Sequence, residues 1–434
     1  MAKKAERPPR ATNSDGRRSS STSTSPAFVP RLSQAQKTLE VQQRIDAAAL
    51  ELLSTTGVDG LALTKVATAA GLSNGPLYGR YDSGEDIALE LWDGGLRRHA
   101  ARLIREVDDF ASTPTGAPSA WLVKEFSSPS IESIAAAEII AVARRFPLLA
   151  ETISDDVESE LVWLRERHPE IPMALLLTRI AVPIGAMLYH GLLPAKRPPW
   201  IEALTLARDA QLDPSFWNVA PRDREAVILP VPTPDTGDVI LDEFVAAVMK
   251  VVARVGFEKT SSQRVARTAG HSFSSAYAHV QSKDELMMLA VSATIGQIVT
   301  VGDQAFVGLQ GEAYLDAIVA LCNGLVSDTN RTIRQLRAET LVAASHHPEL
   351  GDVLRSSFTT SLGLIPKRLA TKDPTVVGPA VAFWHLTRAA GIGLTVLSLN
   401  TSSLPGTNWM PYARVAEHLA NTTFFDRLSG TSPN

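Results

Sequence analysis

The chain has 434 residues, 45% hydrophobic and 20% charged, which is enough apolar material for two or three globular cores. Its single cysteine, Cys322, excludes an internal disulfide and a cysteine-based zinc site, and fits a reducing, cytoplasmic setting. The formal net charge of −4 excludes a polycation, so any nucleic-acid binding must rest on local basic surface.

Residues 1–38 read as a disordered arm. Seven consecutive Ser/Thr residues follow Arg17-Arg18, and few side chains there can be buried. Lys3, Lys4, Arg7, Arg10, Arg17, Arg18, Arg31 and Lys37 against Glu6 and Asp15 leave +6. Such an arm either solubilises the chain or follows DNA phosphates into a minor groove. With a Ser/Thr run in place of an apolar stretch, no signal peptide is expected. No uninterrupted apolar run reaches the roughly 20 residues of a membrane helix, so no membrane partner is expected.

Residues 39–90 form a first small helical domain. Val41, Ile45, Ala48, Leu52 and Leu53 share one helix face, and Gly57 ends that helix. A short helix is expected from about Thr64 to Ala70, and another from about Gly75 to Tyr81, with Pro76 tolerated in its first turn. Ser83-Gly84-Glu85-Asp86 resembles a capping box and starts a long amphipathic helix.

The pattern recurs 199 residues later, in residues 238–289. Gly57, Ala70, Gly71, Tyr78 and Ser83 correspond to Gly256, Ala269, Gly270, Tyr277 and Ser282 without insertion. In this copy the third helix should run from about Phe273 to Val280, and Ser282-Lys283-Asp284-Glu285 should start the fourth. So long a period means duplicated domains and not a solenoid. Between the copies lie a helical region, 91–212, and a proline-rich linker, 213–237; a second helical region, 290–428, follows. Phe146-Pro147 and His347-Pro348 continue the repeat at an offset of 201, and Arg179 and Trp200 match Arg388 and Trp409 at 209.

Two short helices joined by a glycine-containing turn have helix-turn-helix geometry, in which the second helix enters the major groove. Leu72 and Leu77 can anchor that helix in the first copy, leaving Ser73, Asn74, Tyr78 and Arg80 to face outward. Ala276 and Val280 can anchor it in the second, leaving Ser272, Ser274, Ser275, Tyr277 and His279. Thr64 and Lys65, and Ser262, Gln263 and Arg264, begin the preceding helices, whose N–H groups can approach phosphates.

These residues resemble the TetR family of bacterial one-component transcription regulators. The likeness is carried by Val66-Ala67, Ala70-Gly71-Leu72-Ser73, Leu77-Tyr78-x-Arg80-Tyr81 and Ser83-x-Glu85. The second copy carries it at Val265-Ala266, Ala269-Gly270, Tyr277-x-His279-Val280 and Ser282-Lys283-Asp284-Glu285-Leu286. It covers about 45 residues per copy. The first copy departs at Gly84, where the family has a phosphate-contacting lysine; the second has that lysine, Lys283, and departs at His271 and Phe273.

The resemblance implies an all-α fold of two consecutive units, each a three-helix reading head followed by a helical bundle. The two units would pair as an intramolecular pseudo-dimer, and two chains could pair further. It implies a double-stranded DNA operator with unlike half-sites, repression, and release by a small apolar effector held in the helical regions. Arg179, Tyr189, His190, Trp384, His385 and Arg388 are the polar or aromatic residues of the apolar segments that would line an effector cavity.

Charge separates the copies. Residues 40–90 carry three bases against eight acids, whereas 239–289 carry six against five. The second copy is the better DNA ligand unaided, and the arm would supply the cations that the first lacks. Phosphate-binding glycine loops, HExxH, nucleophile elbows and metal-ligand spacings are missing from the sequence, so neither an enzyme nor a bound cofactor or metal is expected. The alternative is a helical scaffold in which one or both heads no longer bind DNA.

Overall fold

Every regular element among the described residues is a helix, as the 3.6-residue apolar periodicity requires. The structure, a computed structural model, describes residues 33–193, 198–229, 231–276, 278, 280, 282–304, 306 and 308–425. It divides into two units, residues 1–43 and 44–434. In the first unit, Ser33 and Gln36 form a capping box: the Ser33 N–H donates to Gln36 Oε1 at 2.7 Å and the Gln36 N–H donates to Ser33 Oγ at 3.2 Å.

The helices follow in two runs. The first run is α1 (Gln34–Thr56), α2 (Leu63–Ala69), α3 (Gly75–Tyr78), α4 (Gly84–Leu91), α5 (Arg97–Ala111), α6 (Ala120–Ser127), α7 (Ile131–Val142), α8 (Pro147–Arg167), α9 (Met173–Tyr189) and α10 (Trp200–Gln211). A π-helical turn, Trp92–Leu96, containing Gly94 and Gly95, joins α4 to α5. The second run is α11 (Val239–Val255), α12 (Ser262–Ala269), α13 (Phe273–Ala276), α14 (Lys283–Gln304), α15 (Gly311–Val326), α16 (Arg331–His346), α17 (Pro348–Arg368), α18 (Pro374–Leu397) and α19 (Met410–Ala420). With α4 and α5 taken as the counterpart of the unbroken α14, the two runs have the same order. Both α8 and α17 start on a proline, whose missing N–H costs nothing in a first turn, and both span 21 residues.

The core centres on α9 and α18, which cross each other. Leu175, Leu176 and Leu177 are wholly buried on α9, and each such side chain contributes about 1.5–3 kcal/mol. The backbones meet at two glycines. A Cβ on Gly185 would lie 2.0 Å from the Ala389 carbonyl oxygen, and one on Gly393 would lie 1.9 Å from that of Ala181. The motif is therefore Ala-x-x-x-Gly on both helices, 208 residues apart, with each glycine receiving the other helix's alanine. The surrounding packing is reciprocal too: α10 lies on α18 and α19 on α9, α7 on α18 and α16 on α9, and α7 on α16.

These two helices correct the reading that no segment suits a membrane. Met173–Leu192 and Pro374–Leu397 are long and apolar enough to cross one by length and composition, although 89% and 72% of their apolar windows are buried inside the protein. Counting uninterrupted apolar residues missed them because Thr178, Arg179 and Thr387 interrupt the run without lowering its mean hydropathy much.

The proline-rich segment does more than tether. The Val227 N–H donates to the Ala320 carbonyl at 2.9 Å. Asn330, buried, accepts the Leu229 N–H at 2.9 Å and donates to the Val227 and Gly324 carbonyls, each at 2.8 Å. Arg222 and Arg224 pair with Asp316 on α15.

The glycine crossing sets a steric test. Gly393→Val should force α9 and α18 apart and cost about 3 kcal/mol. Gly363→Ala, in a helix with open space around the added carbon, should be neutral or stabilising. Thermal denaturation of both variants checks this; an unchanged midpoint for Gly393→Val would refute the close approach.

Candidate nucleic-acid interface and effector cavity

The first head is built around Ile45, Ala48, Ala49, Leu53, Leu61, Val66, Ala67, Leu77 and Tyr81, all buried. Gly57 (φ 69°) and Gly71 (φ 63°) take the left-handed region, and their repeat partners Gly256 (φ 83°) and Gly270 (φ 78°) do the same. The repeat conserves these glycines because an L side chain would be strained at all four points. After α2 the chain reverses: the Leu72 N–H donates to the Ala67 carbonyl at 2.9 Å, and Arg44 caps the Ala70 and Gly71 carbonyls at 2.6–3.1 Å.

The anchors and the outward face separate as expected. Leu77 is fully buried and Leu72 half-buried. Thr64, Lys65, Ser73, Asn74, Tyr78 and Arg80 are all exposed, Tyr78 by 58%. The regular part of the third helix is a single turn, Gly75–Tyr78, shorter than the expected run to Tyr81 because Gly79 follows it. Its bonding nonetheless continues, with the Tyr81 N–H donating to the Leu77 carbonyl at 2.9 Å. Arg80 donates to the Pro76 carbonyl at 2.9 Å, which holds its guanidinium against its own turn.

The capping box at α4 is present. The Asp86 N–H donates to Ser83 Oγ at 3.4 Å, and the Ser83 N–H donates to Asp86 Oδ2 at 2.8 Å. A Cβ on Gly84 would lie 2.3 Å from the Leu61 carbonyl oxygen. That is why the first repeat has glycine where the second has Lys283: the backbone of Leu61 occupies the place of a side chain.

In the second head Val265, Ala266 and Val280 are buried. Gln263, Arg264, Arg267, Ser272 and Ser274 are exposed, and Ser262, Ser275 and Lys283 are half-buried. Ser282 Oγ accepts the Glu285 N–H at 3.1 Å and so caps α14. Tyr277 and His279, and the side chain of Ala276, lie outside the described residues. His271 pairs with Glu243 of α11 and lies beside the Phe244 ring. Lys259, Ser261, Gln263, Arg264 and Arg267 line one open groove. Arg267 was absent from the sequence-based selection, although its i,i+3 spacing from Arg264 places both on one helix face.

Each head is clamped by the other half. Arg145, between α7 and α8, lies against Gly256: its Nη1 is 2.6 Å from Asp59 Oδ2 and donates to the Val255 carbonyl at 3.1 Å. Its Nε is 3.1 Å from Oε1 of Glu339 on α16, which Arg144 also meets at 2.8 Å. Lys259 reaches Asp59 Oδ1 at 3.4 Å. The counterpart clamp is His346, against Gly57, with Nε2 2.9 Å from Oε2 of Glu138 on α7. Glu138 and Glu339 are themselves 201 residues apart. One clamp is thus a permanent cation and the other a titratable one.

Two voids in the helical regions bear on an effector. A small one of about 50 Å³ is lined by Arg179 together with residues of α5, α9, α10, α18 and α19. Arg179 is buried and committed: it pairs with Asp108 and donates to Ser112 Oγ at 2.9 Å. A cavity of about 550 Å³ lies among α15, α16, α17, α18 and α19, with Leu229 of the proline-rich segment in its wall. Trp384 and Arg388 line it. Tyr189 and His385 do not; they are buried and bonded to each other. His190, next to Tyr189 in sequence, is half-buried, and burial lowers its pKa. The cavity also contains Arg337 and Thr340, which the sequence reading passed over. On α16, Arg334 and Arg337 look alike in sequence, yet Arg334 is spent on the Ser398 and Ser327 carbonyls.

No family model matches the chain, and no curated protein matches it. Among the described residues no cluster of three or more His, Cys, Asp or Glu could hold a metal ion.

The His346 clamp has a pH signature. Burial alone lowers its pKa, but the hydrogen bond and charge of Glu138, helped by Thr55 and Glu258, more than offset this and raise it above the ordinary value of about 6.5. A raised folded-state pKa contributes stability that is complete below the unfolded value and lost as pH rises through the folded one. The thermal midpoint should therefore fall as pH rises above about 6.5, and this component should disappear in the Glu138→Gln, His346→Gln double variant. Equal pH profiles for the two proteins would count against the clamp.

Proposed function

We propose that this protein is a sequence-specific DNA-binding transcription regulator of the TetR type. Two TetR-like units in one chain would pair through their helical regions as an intramolecular pseudo-dimer. The observation that carries the reading is the head itself. A left-handed glycine turn joins two short helices, an apolar face anchors them, and the outward face presents Thr64, Lys65, Ser73, Asn74, Tyr78 and Arg80 to solvent. The reciprocal glycine crossing of α9 and α18 supports the paired arrangement, since equivalent patches meet across a two-fold axis. The second head would contribute most of the phosphate affinity through Arg264, Arg267 and Lys283. The first would contribute polar contacts to base edges and borrow cations from the basic arm.

A small molecule held in the helical region would act by favouring a head spacing that fits DNA poorly. The clamps offer a route, because Arg145 and His346 tie each head to the opposite half.

Selection of bound duplexes from a random pool, followed by protection mapping, tests the reading. Two unlike half-sites roughly 10 bp apart, or one turn more, are expected. Arg264→Ala with Arg267→Ala should weaken binding across all sequences and reduce the log–log salt slope by about 0.9 per lost phosphate contact. Tyr78→Ala should weaken the preferred site selectively. A chain that selects no sequence refutes the proposal and favours the helical scaffold.

A further inference from the structure

The large cavity has an unusual electrostatic lining. Arg337, Arg368 and Arg388 all face it, and no aspartate or glutamate lies among its described lining residues. Arg337 has no hydrogen-bond or ion-pair partner among the described residues, and its Nε is buried without an acceptor. Burial and the neighbouring Arg388 pull its pKa down to about 10. One helical turn along α16, the Thr340 hydroxyl is likewise buried without a partner. The i,i+3 spacing puts the two on one face, and both line the cavity.

Arg337 is half-buried, and a cation drawn out of water without an anion is destabilising, because it gives up hydration and receives little in return. A site that retains one, beside an unsatisfied hydroxyl, is complementary to an absent negative group. The planar guanidinium fork matches a carboxylate, and the hydroxyl can donate to the same oxygen pair. Much of the remaining wall is apolar: Ile318, Leu325, Leu354 and Phe358 belong to it. A volume of about 550 Å³ gives room for on the order of 20 water-sized groups of about 30 Å³ each.

We infer that this cavity binds an amphipathic monocarboxylate, its carboxylate on Arg337 and Thr340 and its apolar body among the helices of the second half. The inference rests on the effector reading above and narrows it from an apolar molecule to an apolar acid. It also confines the site to one half. Counting back 201 positions from Arg337 and Thr340 gives Ala136 and Ile139, which have no charge or hydroxyl to offer.

The test uses the full chain without DNA, so that its outcome is independent of any operator. Calorimetric titration and thermal shift are measured with dodecanoate, 2-naphthoate and dodecanol, on the wild type and on Arg337→Met. At least one acid should bind saturably and raise the melting temperature, with dodecanol at least tenfold weaker than dodecanoate if the long acid is the one that fits. Arg337→Met should weaken the acid at least tenfold and leave dodecanol no weaker. The same variant without ligand should melt higher than the wild type, because an unpaired, half-buried charge has been removed. Equal affinities for acid and alcohol, no binding by either acid, or a lower melting temperature for unliganded Arg337→Met would overturn the inference. Acid binding by a chain that ignores DNA would leave it standing and remove the regulator reading instead.

Discussion

The fold depends on the place where α9 and α18 touch backbone to backbone. Only a residue without a side chain fits at Gly185 and Gly393, and each opposes an alanine carbonyl of the other helix. Dispersion falls steeply with distance, so a close crossing gives more contact per residue than side chains interdigitating across a wider gap. The crossing also sets the register of everything outside it. The reciprocal arrangement of α7, α10, α16 and α19 follows once the central pair is fixed, because each half offers the same surface to the other. A covalently joined pair needs no concentration to assemble, which frees the two halves to diverge.

They have diverged. In the first half the buried arginine of α9 has an acid, Asp108, which His168 approaches at 3.0 Å and Arg167 at 3.4 Å. Charge is neutralised in place, beside a void of about 50 Å³ lined from both halves. In the second half Arg337 faces open space. The heads differ in the same sense. The first caps the Ala70 and Gly71 carbonyls after α2 with Arg44 and excludes a side chain at Gly84; the second keeps Arg264 and Arg267 exposed and Lys283 half-buried. Had the halves remained separate chains in a symmetric dimer, each change would have appeared on both sides. A duplicated chain can assign phosphate affinity to one head and ligand recognition to one bundle.

Much of the framework was legible in the sequence. Glycines that take a positive φ are visible as pairs at a fixed offset, since few other residues tolerate that conformation. The serine caps at Ser83 and Ser282 are equally local, because cap and capped N–H lie three residues apart. Anchor and exposed positions in the first head followed from alternation of apolar and polar residues over one turn. What could not be read was anything decided by partners distant in sequence. Arg334 and Arg337 differ only in what faces them, and the Ser398 carbonyl that occupies Arg334 is 64 residues away. Tyr189 and His385 look like cavity residues in an apolar helix, yet they satisfy each other across 196 residues.

The clamps show how such distant pairings would couple ligand and DNA. Glu339 holds Arg144 and Arg145, and Arg145 holds the turn at Gly256; Glu339 lies two residues from Arg337 and one from Thr340 on the same helix. An α-helix is stiff over so short a span, so a carboxylate that draws Arg337 and Thr340 inward must move or strain the Glu339 attachment as well. The second head would feel this directly through Arg145. The first head would feel it through Asp59, which Arg145 and Lys259 share. Its other tie, His346 to Glu138, begins on the same α16 and ends on α7. The proposed ligand wall at Arg337 and Thr340 and the residues of both clamps therefore lie on a single helix, which also packs on α9 and α18. On the proposed reading a shift of α16 well under one helical turn would reach both heads without a separate relay.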